Sequence, residues 1–215
     1  MISDKTVGRL SLYRRTLQRV LAEGREYVFS HEIAHACGVT AAQVRRDLMP
    51  TGFAGTPKRG YSVAALLQSI GNLLDDPEKQ CVALVGIGNL GRAILAYFTG
   101  RRPNLAIVAA FDQDPNKVNQ MIHGCRCYPM EQVGTIIEEK RIEVAIIAVP
   151  ASAAQAIADR LVSYGVRGFL NFAPASLRVP SDIYVEDLDM AISLERVAYF
   201  AHHGVSGRRQ ERLLR

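Results

Sequence analysis

Long apolar runs are missing from this 215-residue chain, and their absence excludes a whole class of architecture. No uninterrupted stretch approaches the roughly 20 residues that a membrane-spanning helix needs. The N-terminus, Met1-Ile2-Ser3-Asp4-Lys5, has no apolar core of the secretory-signal kind, so a cytoplasmic location is expected. Cysteine is scarce too. The four cysteines, Cys37, Cys81, Cys125 and Cys127, fall in segments that read as helix and strand, which disfavours a disulfide scaffold and makes reduced thiols the expectation. Cys125 and Cys127 lack the C-x-x-C spacing and have no second pair, so they read as structural thiols on one face of a strand. Internal repeats and low-complexity tracts are also absent.

What is present is an ordinary globular composition, 48% hydrophobic and 22% charged, long enough for one medium domain or two small ones. The net charge of +5 is mild but uneven. Residues 1–74 hold ten Lys/Arg against five Asp/Glu, the most basic density in the chain, which favours an anionic partner there.

That basic third reads as a chain of short helices. Val7, Leu10, Leu12, Tyr13, Leu17, Val20 and Leu21 recur at helical spacing over residues 6–26, closed by Gly24. Ser30 is placed to cap a short helix that Gly38 ends. Thr40 then caps residues 41–48. Two short helices joined by a Gly-Val turn are the signature of a helix-turn-helix, with Gln43, Arg45 and Arg46 as the polar residues of its recognition helix. Residues 52–63 look like a hairpin with Lys58 and Arg59 at its tip, which makes the unit a winged helix. A Lys-Arg pair there suits a narrow minor groove, while Arg on the recognition helix can bridge guanine O6 and N7 or neutralise phosphate. Residues 64–74 form another amphipathic helix, and Asp75-Asp76-Pro77 marks a linker.

From Cys81 onward strands (81–86, 105–111, 125–128, 143–149, 167–170) alternate with helices (89–98, 115–122, 130–140, 152–163), predicting an α/β fold with a doubly wound parallel sheet. Residues 183–185 can add an edge strand, and residues 189–214 read as a final helix that can break at Gly204-Val205-Ser206-Gly207. Arg208, Arg209, Arg212 and Arg215 read as its solvated end.

The first strand of this half ends in Gly86-Ile87-Gly88-Asn89-Leu90-Gly91 and passes straight into a helix. This strand–turn–helix setting turns a weak G-x-G-x-x-G pattern into a dinucleotide-binding fingerprint, with a pyrophosphate at the helix start. Asp112 falls twenty-one residues past Gly91, at the end of the second strand, where a carboxylate accepts hydrogen bonds from a ribose diol. Asp114 lies in the same turn, and no Arg follows Asp112 directly. A 2′-phosphate would meet like charge, so NAD is favoured over NADP.

His31-Glu32-Ile33-Ala34-His35 matches H-E-x-x-H. A zinc peptidase needs a third ligand in a cleft, and the stretch up to Arg59 is basic with Asp47 its one carboxylate. The pair is better explained as part of the DNA-binding unit, and neither a metal site nor a catalytic residue is expected. Nothing near the strand ends supplies a His–carboxylate or Lys–Tyr pair for hydride chemistry, and Val149 leads only into Pro150-Ala151-Ser152-Ala153-Ala154.

In order along residues 7–200, the motifs Arg9-Leu10-Ser11-Leu12-Tyr13, residues 38–48, Arg59-Gly60-Tyr61-Ser62-Val63, residues 86–91, Phe111-Asp112-Gln113-Asp114-Pro115, Ala148-Val149-Pro150, Asn171-Phe172-Ala173-Pro174 and residues 189–200 resemble Rex, the bacterial redox-sensing transcriptional repressor family. Where that family has Ser-Tyr-Phe-Gly after the recognition helix, this chain has Met49-Pro50-Thr51-Gly52, and Pro50 must stop the helix at or before Met49. Thr56-Pro57 in the wing and Asn119, where a Gly is common, are further departures.

The resemblance implies a winged-helix DNA-binding domain (1–76), a Rossmann NAD(H)-binding domain (77–186) and a C-terminal dimerisation helix (187–215) exchanged between the subunits of a homodimer. It implies NADH and NAD⁺ as ligands, with NADH releasing palindromic double-stranded operator DNA and NAD⁺ permitting its binding. On it the nucleotide site comprises Gly86, Ile87, Gly88, Asn89, Leu90, Gly91, Tyr97, Asp112, Val149, Pro150, Asn171 and Asp189, and the DNA site Thr40, Gln43, Arg45, Arg46, Lys58 and Arg59. It also implies a switch around the nicotinamide in which Arg15, Tyr97 and Asp189 change partners, with Arg14 and Asp187 as neighbouring candidates. Two other readings stay open: a small NAD-dependent oxidoreductase with an appended DNA-binding domain, and an NAD-binding adaptor with no DNA role.

Overall fold

A computed structural model describes residues 2–56, 58–75, 78–100 and 105–204. The linker residues 76–77, the expected break after Gly204 and the terminal arginines lie outside them. The chain divides into two compact units, one headed by Met1–Pro77 and the other Glu78–Tyr199, with the end of the last helix from Phe200 grouped with the first.

The first unit begins with helix α1 (Asp4–Ala22), whose start is capped by the Ser3 hydroxyl accepting from the Thr6 amide at 3.3 Å. Leu10, Tyr13, Leu17 and Val20 fall on one face of α1. They pack with Ile33 of α2 (Ser30–Cys37), Val44 and Leu48 of α3 (Ala41–Leu48), and Leu66 and Ile70 of α4 (Val63–Leu74). Gly38 ends α2 in the left-handed conformation, and the Thr40 hydroxyl caps α3 by accepting from the Gln43 amide at 3.1 Å. At α2 the expectation fails by one residue. Phe29, not Ser30, is the cap, because Glu32 reaches back to accept from the Phe29 amide at 2.8 Å. Pro50 acts as anticipated: α3 stops at Leu48 and a single 3₁₀ turn, Met49–Thr51, follows.

The wing also differs from the simple hairpin read over 52–63. Strand β2 (Tyr61–Ser62) pairs antiparallel with β1 (Tyr27–Val28), a two-residue strand too short to leave a sequence signal. Among the described residues a single bridge, Thr56 to Gly60, closes the tip itself.

The second unit is a seven-stranded sheet flanked by helices. Its strands are β3 (Gln80–Val85), β4 (Leu105–Asp112), β5 (Met121–Ile122), β6 (Cys125–Pro129), β7 (Ile142–Ile147), β8 (Gly168–Asn171) and β9 (Tyr184–Asp187), in spatial order β5-β6-β4-β3-β7-β8-β9. All pairings are parallel except β5 with β6. Alternation divides β3 between two cores. Ala83 and Val85 face α6 (Val133–Glu139) and α7 (Ala151–Ser163), while Val82 and Leu84 face α5 (Asn89–Phe98). The chain runs outward from β3 through β4 to β6, then returns to β7 on the other side of β3. This places the strand-order reversal, where open α/β sheets bind ligands, at the C-terminal end of β3.

Two expected helices need correction. Residues 115–122 form a turn and strand β5, because Asn119 and His123 take φ of 62° and 46° and the Asn119 amide donates to the Cys127 carbonyl at 2.7 Å. Residues 130–132 form a 3₁₀ turn, and α6 begins only at Val133. The last helix, α8 (Met190–His203), buries no residue.

Candidate nucleotide and DNA sites

At the end of β3 the Gly-rich turn is held by backbone bonds: the Gly86 amide donates to the Phe111 carbonyl and the Ala148 amide to the Val85 carbonyl, both at 2.8 Å. Its three glycines do different jobs. A Cβ on Gly86, whose φ is +96°, would lie 2.3 Å from the Ala148 carbonyl oxygen, and one on Gly91 would lie 1.9 Å from the Gly86 carbonyl oxygen. Both are required by the fold. Gly88 has ordinary extended backbone, and a Cβ there would meet nothing within 4 Å. The protein's own packing therefore leaves space above Gly88 that a side chain would fill. Gly88 is also the cap of α5 and offers no side-chain acceptor, so the first-turn amides of that helix are left for an anion.

Asp112 closes one side of this space at the end of β4, only 8% exposed. Its Oδ2 accepts from the Ile87 amide at 2.7 Å and its Oδ1 from the Asp114 amide at 2.9 Å, with the Lys117 ammonium 3.3 Å from Oδ2. Burial works to raise its pKa, but the Asp114 and Ile87 amides and Lys117 outweigh it and hold the carboxyl below the usual range. Lys117, which the sequence reading passed over, also lies 3.4 Å from Asp114 and is itself held more basic than usual against the pull of partial burial. Its signal was there in the spacing, five residues after Asp112 and three after Asp114. A cavity of about 230 Å³ opens here, polar at Gly86, Gly88, Asp112 and Lys117 and apolar at Met130, Val149, Pro150, Ala153 and Ile157.

The remaining expected nucleotide residues are placed less directly. Asn171 ends β8, buried, with its amide hydrogens on the Ala175 carbonyl (2.8 Å) and Asp187 (2.7 Å) while its oxygen accepts from the Ala173 amide (3.0 Å). It braces the loop after β8 and occupies Asp187. Asp189 caps α8, accepting from the Ala191 and Ile192 amides at 2.8 and 3.0 Å. Tyr97, 56% exposed, sits near the end of α5 with its ring edge-on to Phe98. In the first unit Arg15 is exposed on α1, while Arg14 is engaged with Asp75 at 2.6 Å.

On the elements expected to meet DNA, Arg46 is exposed and Arg45 donates to the Ser30 hydroxyl at 3.1 Å. Lys58 takes φ of 65° at the wing tip, and the Arg59 guanidinium lies 4.4 Å from the centre of the Tyr27 ring. The unexpected feature is Asp47, only 2% exposed. Arg9 donates to both its oxygens, Tyr13 to Oδ2 at 2.8 Å and Gln43 to Oδ1 at 2.8 Å. Burial opposes its charge, yet these donors keep the carboxyl ionised below the usual range, while burial and the bond to Asp47 push the Tyr13 phenol up. The pairing explains why Arg9 and Tyr13 stand where they do, four residues apart on α1.

In the H-E-x-x-H segment, Glu32 is taken up by Arg25 at 2.6 Å and the Phe29 amide, and the His31 ring stacks on Phe29. Among the described residues no group of three or more His, Cys, Asp or Glu is placed to hold a metal. Burial pushes the Cys125 thiol up to about 11 and raises Cys127 as well, which keeps both unreactive. No helix of the described residues is long and apolar enough to cross a membrane.

A winged helix-turn-helix and a Rossmann-type nucleotide site on one chain define a class: a DNA-binding module joined to a nucleotide receptor. Comparison with known proteins narrows it. Residues 1–48 match a family described as putative DNA-binding protein N-terminus, and residues 77–175 one described as CoA binding domain. The redox-sensing transcriptional repressor Rex of Anoxybacillus flavithermus is 43% identical over 94% of this chain and 95% of its own, and that of Chloroflexus aurantiacus 44% over 92% and 93%. The solved structure of RSP, a Rex-family repressor, in complex with β-NAD⁺ and operator DNA superposes with a TM-score of 0.87 at 30% identity, covering 94% of both chains. RSP in complex with β-NADH gives 0.83. The chain belongs to the Rex family of redox-sensing transcriptional repressors.

Proposed function

We propose that this chain represses transcription by binding palindromic operator DNA through its winged helix, and that NADH, displacing NAD⁺ from the Rossmann unit, releases it. The observation that carries the reading is Gly88. The fold does not require a glycine there, a bound pyrophosphate does, and this cradle shares a chain with a helix-turn-helix. The residues present fit NAD(H). The amides at the start of α5 would hold the pyrophosphate, Asp112 the adenosine ribose, and the apolar slot at Val149, Pro150 and Met130 the adenine. Asp112 and Asp114 favour a free 2′-hydroxyl over a 2′-phosphate, although Lys117 softens that preference. We assign the sensing of the nicotinamide to Tyr97, Asp189 and Arg15. Of the two adjacent arginines, Arg15 is preferred because Arg14 is already bound to Asp75.

The same reading makes the chain a cytoplasmic regulator rather than an enzyme, in keeping with relatives named as transcriptional repressors. It also makes it a homodimer through exchange of the C-terminal helix, supported by the exposed apolar residues Met190, Ile192, Leu194, Val197 and Phe200 of α8. The decisive experiment measures binding to a palindromic operator duplex while NADH is titrated against fixed NAD⁺. DNA release by NADH alone supports the sensor, and indifference to both nucleotides ends it.

A further inference from the structure

The start of α8 is tied to the sheet by one buried residue. Asn171, at the end of β8 and 1% exposed, has two side-chain amide hydrogens, and both are used. One lies on the Ala175 carbonyl at 2.8 Å and the other on Oδ1 of Asp187 at 2.7 Å. The partners settle which way the amide points, because a carbonyl and a carboxylate only accept, while the Ala173 amide, 3.0 Å from the Asn171 oxygen, only donates. The backbone carbonyl of Asn171 accepts from the Leu188 amide at 2.8 Å, so residues 187 and 188 are both held by Asn171. The next residue, Asp189, caps α8 through the Ala191 and Ile192 amides, and the Ser193 hydroxyl donates back to its carbonyl at 2.9 Å. On the other side of Asn171, the Phe172 amide donates to the Ile147 carbonyl at 2.8 Å, where β7 runs into the cavity-lining residues 148–150. Consecutive bonds therefore run from the cavity wall to the first turn of α8.

Resting on the reading of this chain as an NADH-released repressor, we propose that Asp187 is a positioning residue for the redox response. By accepting from Asn171 it holds Asp189, assigned above to nicotinamide sensing, and the start of α8 against the nucleotide-binding edge of the sheet. Its work is to offer an acceptor to a buried amide. That sets it apart from a switch carboxylate, whose charge changes partners. Two features give the bond its weight. Helix α8 buries no residue against its own chain, so its direction depends on how its start is attached. Asp187 is itself exposed, so a substitution there removes the bond without opening a hole in the core or disturbing the bonds of Asn171 to Ala173 and Ala175.

The test uses the full-length protein and a palindromic duplex recovered by selection from a random-sequence library. The response is the ratio of duplex affinity at saturating NAD⁺ to that at saturating NADH, so that changes in nucleotide affinity do not enter it. Asp187→Ala leaves Asn171 without its acceptor, and the response should shrink on the order of tenfold, the worth of one hydrogen bond to a charged group. Asp187→Asn keeps an oxygen for Asn171 but not the charge, and should stay within about threefold of the parent. Both variants should melt close to the parent. Equal losses in the two variants would make the charge of Asp187 the working feature and overturn the proposal. A full response in Asp187→Ala overturns it as well. So does an Asp187→Ala protein that melts far below the parent, since the bond then serves the fold and not the response. A parent that NADH does not release from the duplex refutes the sensor reading itself, a distinct outcome.

Discussion

Replacing Gly88 by valine separates what the fold needs from what the ligand needs. Its backbone is extended and an added Cβ meets nothing within 4 Å, so the substitution introduces neither backbone strain nor a clash at the new carbon. The folded protein should lose less than about 1 kcal/mol, through the poorer helix cap. For a chain of this size that is roughly 2–4 °C in melting temperature. The ligand loses far more. A pyrophosphate pushed off the start of α5 gives up at least two charge-assisted hydrogen bonds at about 1.5–3 kcal/mol each. NADH affinity should therefore fall by about 10²–10⁴-fold. Gly91→Ala is the contrast, because its Cβ would sit 1.9 Å from the Gly86 carbonyl oxygen and the turn itself must move. That variant should melt lower than Gly88→Val as well as bind poorly. Calorimetric titration with NADH and thermal melts of both variants check the reasoning. It is refuted if Gly88→Val binds NADH as tightly as the parent, or melts as low as Gly91→Ala.

Two further outcomes follow from named groups. The carboxyl of Asp47 titrates below its ordinary value in the folded state, so the unfolded chain binds the proton first. Its contribution to stability is present above about pH 4 and is lost as pH falls through the depressed value. Urea denaturation across that window should show a shallower loss of stability for Asp47→Asn than for the parent, and equal slopes would contradict the assignment. At the wing, neutralising Lys58 or Arg59 should weaken binding to selected and random duplexes alike. Each should reduce the slope of log affinity against log salt by about one unit, read from binding isotherms at several salt concentrations. A slope unchanged in both variants would remove the wing from the phosphate contacts.

The sequence displayed the elements whose pattern is long or chemically marked. The strand–glycine–helix run at β3 and α5, the capped recognition helix and the stop at Pro50 could all be read from local chemistry. What could not be read was set by partners distant along the chain. Strand β1 exists only because Tyr27 and Val28 pair with residues 61–62. Residues 115–122 have helix-compatible composition, but the hairpin of β5 with β6 captures the Asn119 amide and overrides it. Within the sites, Asp112 was legible from its distance to the glycines, and Lys117 followed at a spacing that permits pairing, which the folded turn completes at 3.3 Å. Asp47 looked like one acid among basic residues. Its partners, 38 and 34 positions earlier at Arg9 and Tyr13, make it the centre of the unit.

That centre bears on how a nucleotide signal would reach the DNA. Helix α1 exposes Arg15, the proposed switch arginine. The same helix grips the recognition helix through Asp47 and holds Asp75, at the start of the linker, through Arg14. Swinging DNA occupancy from nearly full to nearly empty requires about 5.5 kcal/mol of preference between two states. Of the two joints that α1 makes, the stronger carries more of that preference. The Arg14–Asp75 pair, with Asp75 39% exposed, belongs with surface ion pairs worth up to about 1 kcal/mol. The Asp47 joint is different in kind: Asp47 is only 2% exposed, though Arg9 keeps 25% exposure, and removing the partner of a buried charge costs up to about 3–5 kcal/mol. If Arg15 belongs to the switch as proposed, a displacement of α1 there would reach the recognition helix chiefly through Asp47. The pair at Asp75 can only follow.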